Sequence, residues 1–400
     1  MRIKNIDREL RELAKPVSVL YISSYIPRKC GLATFTKDLT NAINMLNPLK
    51  KAEIAALDSN ITASIHYPNE VKFRIKENEI SDYKELAYRI NTDKNYDLVS
   101  LQHEYGIYGE NDGEAVLEFM SLVKKPIITT LHTVLVDPSE HKKYVLEKVC
   151  HMSEIVVVML SCAKNILNKV YKVNRNKIVV INHGVPDFPR LESEYYKRRL
   201  KLSNYIVMSS INLISPAKGI EYAICAVPKI VSEIPNFLYL VIGETHPVYL
   251  KERGGIDEYR NYLKKLVRDL NIRKNVRFIG DYISLKKLIK YIGASDIYIT
   301  PYIEPQQAAS GALSYAIGAG KVCISTPYLF AKEKLGKFCG IIVPFKDSNK
   351  IAEAVIKVMK NERERKLYEN NSYEVGRMMT WNNIAHQYLH LFKYVQSSQN

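Results

Sequence analysis

The stretch SDIYITPYIEPQQAASGALSYAIGAGKVCISTP, residues 295–327, contains two short apolar runs rich in β-branched residues. The runs 295–302 and 321–327 are separated by a loop and by a helical pattern over 308–319. Short, nearly continuous apolar strands joined by a helix are typical of a parallel sheet that is buried on both faces. This stretch therefore predicts one strand–helix–strand unit of an α/β protein.

The same alternation runs outward through the whole chain and restarts once near its middle. In the first half, strands are predicted at 17–23, 52–57, 96–102, 126–132, 154–160 and 177–183, with helices that include 34–46 and 82–91. In the second half, strands are predicted at 203–212, 237–243, 275–280, 295–302, 321–327 and 339–345, with helices near 219–234, 256–271, 284–293, 308–319 and 349–360. The predicted fold class is therefore α/β, with two Rossmann-like doubly wound domains.

The domain organisation follows from this restart and from the length of 400 residues, which exceeds what one hydrophobic core usually serves. We predict an N-terminal domain at 1–184, a turn-rich and charged linker at 185–202, a C-terminal domain at 203–374 and a final helix at 375–400. Apolar residues recur at helical spacing around Trp381, so this helix is expected to pack across the domains. Two doubly wound domains would form a cleft between the carboxyl ends of their strands.

Charge and composition restrict the classes of partner. The formal charge of +16 suits nucleic acid, an anionic membrane surface or a phosphorylated small substrate. Lys and Arg are scattered through helices, so no nucleic-acid partner is expected. Six cysteines without a C-x-x-C pair argue against a zinc site and fit a reducing compartment. Because the N-terminus lacks an apolar signal core and no apolar run reaches about 20 residues, we expect a cytoplasmic protein, at most peripheral to a membrane.

In the first half, candidate ligand-binding residues follow predicted strands. The loop SSYIPRKCGLATFTKDL brings Lys29 and Gly31 to a helix start, where backbone N–H groups suit a phosphate or a sugar hydroxyl, although a turn alone would also explain the glycine. No G-x-G-x-x-G pattern indicates a nicotinamide cofactor. Two further strands end in LVSLQHEYG, with His103 and Glu104, and in ITTLHTVL, with His132. Such strand ends are favoured ligand sites, although a lone histidine is as often structural.

In the second half, two strand ends carry comparable residues. SSINLISPAKGIEYA places Lys218 and Gly219 at a helix start, where a lysine adds a point charge to the helix dipole and suits a diphosphate. The strand in LVIGETHP ends with Gly243 and Glu244.

The loop of the opening stretch supplies a third signal. EPQQAASG ends at Ser310 and Gly311, whose backbone N–H groups open the predicted helix and suit a second phosphate oxygen. Each signal is weak alone, but three of them on one face of one domain indicate a site for a phosphorylated ligand.

With these features, the chain resembles the GT-B glycosyltransferases, specifically the retaining enzymes of family 4, the group 1 type. The resemblance is carried by ITTLHTV, VVVMLSCAKNIL, VVINHGV, SPAKGIEYAICAVPKI, AIGAGKVCISTPY and TWNNIAHQYLHLF, and it is most specific from Lys218 to Pro327. It implies a nucleotide-sugar donor site in the C-terminal domain, an acceptor site in the N-terminal domain and a final helix that returns to the N-terminal domain. It also implies no metal ion and no cofactor, since the nucleotide-diphosphate sugar is the substrate.

The resemblance assigns roles, and the chain departs from the family in two places. Lys218 would contact the donor diphosphate, and His132 would lie near the reacting sugar. Residues 212–214, Asn-Leu-Ile, replace the family's Gly-Arg-Leu, so its phosphate-binding arginine is missing. Gln307 and Tyr315 replace its two glutamates. Gln307 can bond a sugar hydroxyl but supplies no negative charge to an oxocarbenium-like transition state, and Tyr315 would meet the ribose or fill space.

We therefore expect a glycosyltransferase that moves a hexose, with mannose or glucose favoured, from a nucleotide-diphosphate sugar to a saccharide or lipid-linked acceptor. Retention follows only by analogy, and an inverting enzyme would need a general base from the N-terminal domain. The candidate residues are His132 and Glu104 for catalysis, Lys218, Gly219, Gly243, Glu244, Gln307, Ser310, Gly311 and Tyr315 for the donor, and Lys29, Gly31 and His103 for the acceptor or phosphate loop. A catalytically decayed nucleotide-sugar-binding protein and a basic nucleic-acid-binding protein are the alternatives.

Overall fold

The computed structural model of the protein describes residues 15–59, 66–190, 192–280, 283–336 and 338–398. The chain divides into two compact units. Unit 1 consists of the chain up to Gly184 and of the segment from Trp381 onward, and unit 2 is Val185–Thr380. Within the described ranges, no helix is long and apolar enough to cross a membrane.

Unit 1 is built on a seven-stranded sheet of spatial order β3-β2-β1-β4-β5-β6-β7 in which neighbours pair in parallel. The strands are β1 Val19–Ser23, β2 Glu53–Asp58, β3 Val71–Lys76, β4 Leu98–His103, β5 Ile127–Leu131, β6 Ile155–Val158 and β7 Ile178–Val180. The central strands β1, β4, β5 and β6 are buried along their whole length. This explains their continuous apolar sequences, because both faces of the sheet are covered.

The edge strand β3 was absent from the sequence prediction. Its sequence VKFRIK alternates apolar and charged residues, and every second side chain is exposed. A search for continuous apolar runs misses such a strand, because only one of its faces is covered.

The helices of unit 1 lie between these strands and at the end of the chain. They are α1 Gly31–Leu46, α2 Ile80–Thr92, α3 Val116–Leu122, α4 Glu140–Met152, α5 Ser161–Lys169 and, after unit 2, α15 Trp381–Ser398. The last helix packs within unit 1, since the hydroxyls of Tyr388 and Thr130 are 3.0 Å apart and the rings of Phe392 and Tyr21 meet edge-on. The predicted return of the final helix to the N-terminal domain is confirmed.

Unit 2 is built on a six-stranded parallel sheet of order β10-β9-β8-β11-β12-β13. The strands are β8 Ile206–Ile211, β9 Phe237–Ile242, β10 Val276–Ile279, β11 Ile297–Thr300, β12 Val322–Ser325 and β13 Gly340–Ile342. The helices are α6 Ser193–Leu200, α7 Ile220–Glu233, α8 Pro247–Lys251, α9 Glu258–Asp269, α10 Leu285–Ala294, α11 Gly311–Gly318, α12 Leu329–Leu335, α13 Ser348–Lys360 and α14 Glu362–Met378. Two doubly wound, Rossmann-like domains are thus confirmed.

The segments around unit 2 differ in detail from the sequence prediction. Helix α6, which lies inside the segment predicted as a linker, is part of unit 2, where Lys197 forms a 2.6 Å ion pair with Asp296. The helix predicted from residue 375 is interrupted, because α14 ends at Met378 and α15 begins at Trp381. At this break the backbone N–H of Val185 donates to Met379 O at 2.8 Å.

Candidate functional site

The carboxyl ends of β4 and β5 bring the predicted histidine turns of unit 1 together. The backbone N–H of His132, just after β5, donates to the carbonyl of His103, the last residue of β4, at 3.0 Å. The side chains of Glu104 and Thr133 also meet, since the threonine hydroxyl donates to Glu104 Oε2 at 2.6 Å. Parallel pairing of neighbouring strands therefore joins two motifs that lie far apart in sequence.

His132 is buried, and its imidazole is neutral at pH 7. Its Nε2 lies 3.0 Å from Gln102 Oε1, and its ring stands edge-on to Phe35 with 4.8 Å between centroids. Only 8% of the residue is exposed. Burial, aided by His183 and His103, lowers the pKa of His132 to about 3. The side chain can therefore exchange hydrogen bonds at neutral pH, but it is a weak base.

Glu104 is held by two hydrogen bonds from its own surroundings. Besides the Thr133 hydroxyl, the backbone N–H of Tyr105 donates to Glu104 Oε1 at 3.0 Å. Burial raises the pKa of Glu104 above its usual value, although these hydrogen bonds act in the opposite direction. A carboxyl with a raised pKa is better matched to general base chemistry than His132.

The side chain of His103 lies in the interior of unit 1. It has no exposed surface, and its ring lies between those of Tyr105 and Tyr108 at 5.3 and 6.1 Å. Neither ring nitrogen has a hydrogen-bond partner among the described residues, and burial lowers the pKa of His103 to about 4. The predicted acceptor contact requires a side chain at the surface, which this one does not reach because β4 is covered on both faces.

The loop after β1 has the open helix start that the sequence predicted. Cys30 caps α1, since its Sγ accepts from the backbone N–H of Ala33 at 3.4 Å. Gly31 is exposed, and a Cβ atom built on it would meet nothing within 4 Å. Lys29 is also exposed. The glycine is thus not required by contacts within the described chain, and the space beside it is open.

Charged residues that sequence reasoning missed surround this loop. The ion pairs are Arg28 with Glu77, Lys37 with Glu70 at 2.6 Å, and Arg74 with Asp58 at 2.6 Å. Asp58 ends β2 and Glu77 follows β3, so these two carboxylates lie at the carboxyl edge of the sheet, whereas Glu70 directly precedes β3. No local spacing reveals them, because each pair joins separate segments of the chain.

In unit 2, Lys218 ends a short 3₁₀ turn at Pro216–Lys218 that follows β8. Its Nζ lies 4.1 Å from the ring centroid of Tyr302, a cation–π contact, and no ion pair joins it to a described residue. Burial lowers the pKa of Lys218 to about 8. Gly219 has a φ of +58°, and a Cβ there would lie 2.1 Å from Pro301 O. Only glycine therefore allows the lysine turn to approach the end of β11 so closely.

The loops after β8 and β9 are joined beside this lysine. Gly243 has a φ of +126°, and a Cβ on it would lie 1.9 Å from Asn212 O. The backbone N–H of Ile214 donates to Glu244 O at 2.8 Å. Arg260, which the sequence did not single out, donates from Nη2 to Gly243 O at 2.6 Å. The arginine comes from α9, so only the fold reveals that it fixes the loop that bears Gly243 and Glu244.

Tyr302 connects Lys218 with the segment where the family arginine is missing. Its hydroxyl donates to Oδ1 of Asn212, and its ring stacks on Tyr328 with 5.1 Å between centroids. Nδ2 of Asn212 is buried and has no hydrogen-bond partner among the described residues. An unsatisfied buried amide N–H is costly, so this atom is a candidate donor to a ligand oxygen.

Two side chains of the EPQQAASG loop, Gln307 and Ser310, form hydrogen bonds with nearby backbone groups. Gln307 Nε2 donates to Ala309 O at 2.8 Å. Ser310 is buried and caps α11, because its Oγ accepts from the backbone N–H of Leu313 at 3.3 Å. The cap leaves Gly311 as the first residue of the helix.

The second glutamate position of the family is occupied by a packing residue. Tyr315 lies in α11, is 7% exposed and meets the ring of Phe188 edge-on at 6.5 Å.

The described part of the chain contains no group of three or more His, Cys, Asp or Glu side chains that could hold a metal ion.

Comparison with known proteins places these features in context. Residues 193–375 match the family model of glycosyl transferases group 1. An uncharacterized glycosyltransferase of Methanocaldococcus jannaschii is 25% identical over 245 residues, which cover 60% of this chain and 58% of that protein. A phosphatidyl-myo-inositol mannosyltransferase of Mycolicibacterium smegmatis is 23% identical over 184 residues, covering 46% and 43% of the two chains. The matches thus span about half the length of these relatives.

A solved structure covers almost the entire chain. The crystal structure of Anabaena HepE in complex with UDP and glucose superimposes with a TM-score of 0.72 at 13% identity, over 94% of this chain and 100% of that one. Identity at this level shows the fold, while the family match is confined to the region of unit 2. The chain therefore has the GT-B fold of two Rossmann-like domains, and its residues 193–375 match the family of glycosyl transferases group 1.

Proposed function

We propose that the protein is a glycosyltransferase that moves a hexose from a nucleoside-diphosphate sugar to a saccharide or lipid-linked acceptor. The observation that carries this proposal is the ammonium group of Lys218. It lies at the carboxyl end of the unit 2 sheet, over Tyr302 and without an ion pair to a described residue. This is the edge at which ligands bind in open α/β sheets, within a domain that matches glycosyl transferases group 1.

The donor diphosphate would be neutralised by protein groups alone. Lys218 supplies the charge, the start of α11 at Gly311 supplies backbone N–H groups, and Nδ2 of Asn212 adds a neutral donor where the family has arginine. The loop after β9, held by Arg260, contributes Gly243 and Glu244. The proposal therefore requires neither a metal nor another cofactor, and activity should persist in EDTA.

The stereochemical outcome depends on unit 1. Because His132 is neutral with a pKa of about 3, we assign it a hydrogen-bonding role toward the reacting sugar. Retention is the outcome by analogy with family 4. If the reaction inverts, Glu104 is the better candidate base, since burial raises its pKa. NMR of the anomeric product distinguishes the two outcomes.

The favoured hexoses are mannose and glucose. The relative from Mycolicibacterium smegmatis is named a mannosyltransferase, and the Anabaena structure contains UDP and glucose. For the acceptor, the paired charges near Gly31 offer both donors and acceptors to sugar hydroxyls. The charge of +16 supports a peripheral contact of the enzyme with an anionic membrane, which co-sedimentation with phosphatidylglycerol vesicles would test.

The test is a transfer assay with radiolabelled UDP-, GDP- and ADP-linked glucose and mannose against neutral and lipid-linked saccharides. We expect one donor to be consumed faster when a suitable acceptor is present. Two observations favour a catalytically decayed nucleotide-sugar-binding protein instead. The amide of Gln307 donates to the backbone of its own loop, and Tyr315 packs against Phe188. Tight donor binding without turnover across all acceptors would support that alternative.

A further inference from the structure

Gln102 is a buried polar residue of β4 that contacts the candidate catalytic histidine. It has no exposed surface, yet it carries an amide that can form several hydrogen bonds. Its Oε1 lies 3.0 Å from Nε2 of His132. Gln102 lies in β4 and His132 directly follows the neighbouring parallel strand β5, so the pairing of these strands brings the two side chains together.

The amide of Gln102 is oriented with its oxygen toward the histidine. Its Nε2 lies 3.5 Å from Ser100 Oγ, and its Oε1 faces Nε2 of His132. The backbone is also fixed, because the Tyr108 hydroxyl donates to Gln102 O at 2.7 Å. A carbonyl oxygen only accepts hydrogen bonds, so the facing Nε2 of His132 must carry the proton.

The other ring nitrogen of His132 is then an acceptor. Nδ1 forms no hydrogen bond to a described residue, although only 8% of the residue is exposed. The titratable groups that act on this ring are His103 on β4 and His183 after β7, and the ring of Phe35 of α1 is perpendicular to it. Burial and the two neighbouring histidines disfavour an imidazolium, so the Nδ1 lone pair stays available at neutral pH.

We propose that Gln102 is a positioning residue that holds His132 as the Nε2–H tautomer, so that Nδ1 accepts a hydrogen bond from a hydroxyl of the bound sugar. The hydroxyl part of this inference rests on the proposed glycosyltransferase function, whereas the tautomer does not. The arrangement uses an amide instead of a carboxylate. An amide orients the ring but stabilises its charged form far less than a carboxylate would, so His132 stays neutral.

The tautomer can be measured without any assay of activity. The full chain, labelled with ¹⁵N-histidine, would be examined by NMR near pH 7, with the His132 signals identified by their loss in His132→Gln. We expect a protonated Nε2 and an unprotonated Nδ1, and a mixture of tautomers in Gln102→Leu. A protonated Nδ1 in the unaltered protein, or an unchanged tautomer in Gln102→Leu, would overturn the proposal.

Kinetics test the consequence for the reaction. Gln102→Leu should lower kcat about 10- to 100-fold with donor affinity unchanged. Gln102→Glu keeps the shape but places a carboxylate beside Nε2, so the pKa of His132 should rise and the pH–rate profile should gain an acidic limb. The matched control is Thr129→Val in neighbouring β5, which removes a buried 2.7 Å hydrogen bond to Ser153 away from His132.

The outcomes separate the two proposals. An unchanged kcat in Gln102→Leu, or an equal loss in Thr129→Val, would contradict a positioning role. If the chain transfers no sugar at all, the proposed function fails while the tautomer measurement still decides the role of Gln102. If Gln102→Leu unfolds, the pH–rate profile and the His132 signals of Gln102→Glu decide it.

Discussion

His132 and Lys218 both lie beyond the carboxyl end of a buried parallel strand, β5 in unit 1 and β8 in unit 2, but their environments differ. His132 is buried, hydrogen-bonded to Gln102 and neutral. Lys218 is half-buried over an aromatic ring, with a pKa of about 8 that leaves it charged at neutral pH. The same strand-end geometry thus orients a neutral group in unit 1 and presents a charge in unit 2. The difference arises from what packs around each side chain.

The largest expected effect is a loss of stability of unit 1 in acid. Burial lowers the pKa of His103, His132 and His183 to about 4, 3 and 4. Between about 6.5 and these values the unfolded chain binds more protons, so the free energy of unfolding falls as pH falls, by about 2 kcal/mol per histidine near pH 4.5. Urea titration at each pH, monitored by the fluorescence of Trp381, which lies in unit 1, measures this change.

Substitutions test whether the buried histidines cause the acid effect. His103→Phe keeps a ring between Tyr105 and Tyr108 and should remove about a third of the sensitivity. His390→Gln, at an exposed position of α15, should leave it unchanged. An acid sensitivity that is undiminished in His103→Phe would assign it to other groups.

The next effect concerns the charge in unit 2. Lys218→Ala should weaken UDP binding by about 30- to 100-fold, equivalent to about 2–3 kcal/mol, because a charge-assisted contact with the diphosphate is lost. Calorimetric titration with UDP measures the change. Lys229→Ala serves as the control, since this exposed lysine of α7 pairs with Glu353 at 3.3 Å. Unchanged UDP affinity in Lys218→Ala would remove the lysine from the donor site.

An effect of a different kind is expected in unit 1. His132→Ala should lower kcat by about 100-fold and leave donor affinity unchanged, because the histidine orients the sugar without binding the diphosphate. Steady-state kinetics and UDP titration separate the two quantities. His151→Ala, exposed near the end of α4, is the control. A loss of UDP affinity equal to that of Lys218→Ala would abolish the contrast between the two residues.

The smallest effect is a pH dependence of donor binding. The ammonium of Lys218 is charged below its pKa of about 8 and loses its charge above it. UDP affinity should therefore fall by about three- to tenfold as pH rises from about 7 to about 9. Lys218→Arg should abolish this decrease, because a guanidinium stays charged throughout. A decrease that persists in Lys218→Arg would have to come from another group.

Much of the fold could be predicted from sequence, because its signals are local. The continuous apolar runs indicated every strand of unit 2 and all those of unit 1 except β3, whose alternating VKFRIK has only one covered face. The start of α1 at Gly31 and the turn at Lys218 also lay where loop chemistry placed them. The break between α14 and α15 was missed, because helical periodicity continues across it.

The sequence by itself determined which residues reach the carboxyl edges of the two sheets, since strand boundaries and loop residues are local properties of the chain. Only the tertiary structure decided what those residues became. Gln102 meets His132 across two strands, and Tyr302 lies under Lys218 from a distant loop. Arg260 reaches Gly243 from α9. Protonation and orientation depend on desolvation and on hydrogen-bond partners from remote segments, and these are brought together only when the sheets pack.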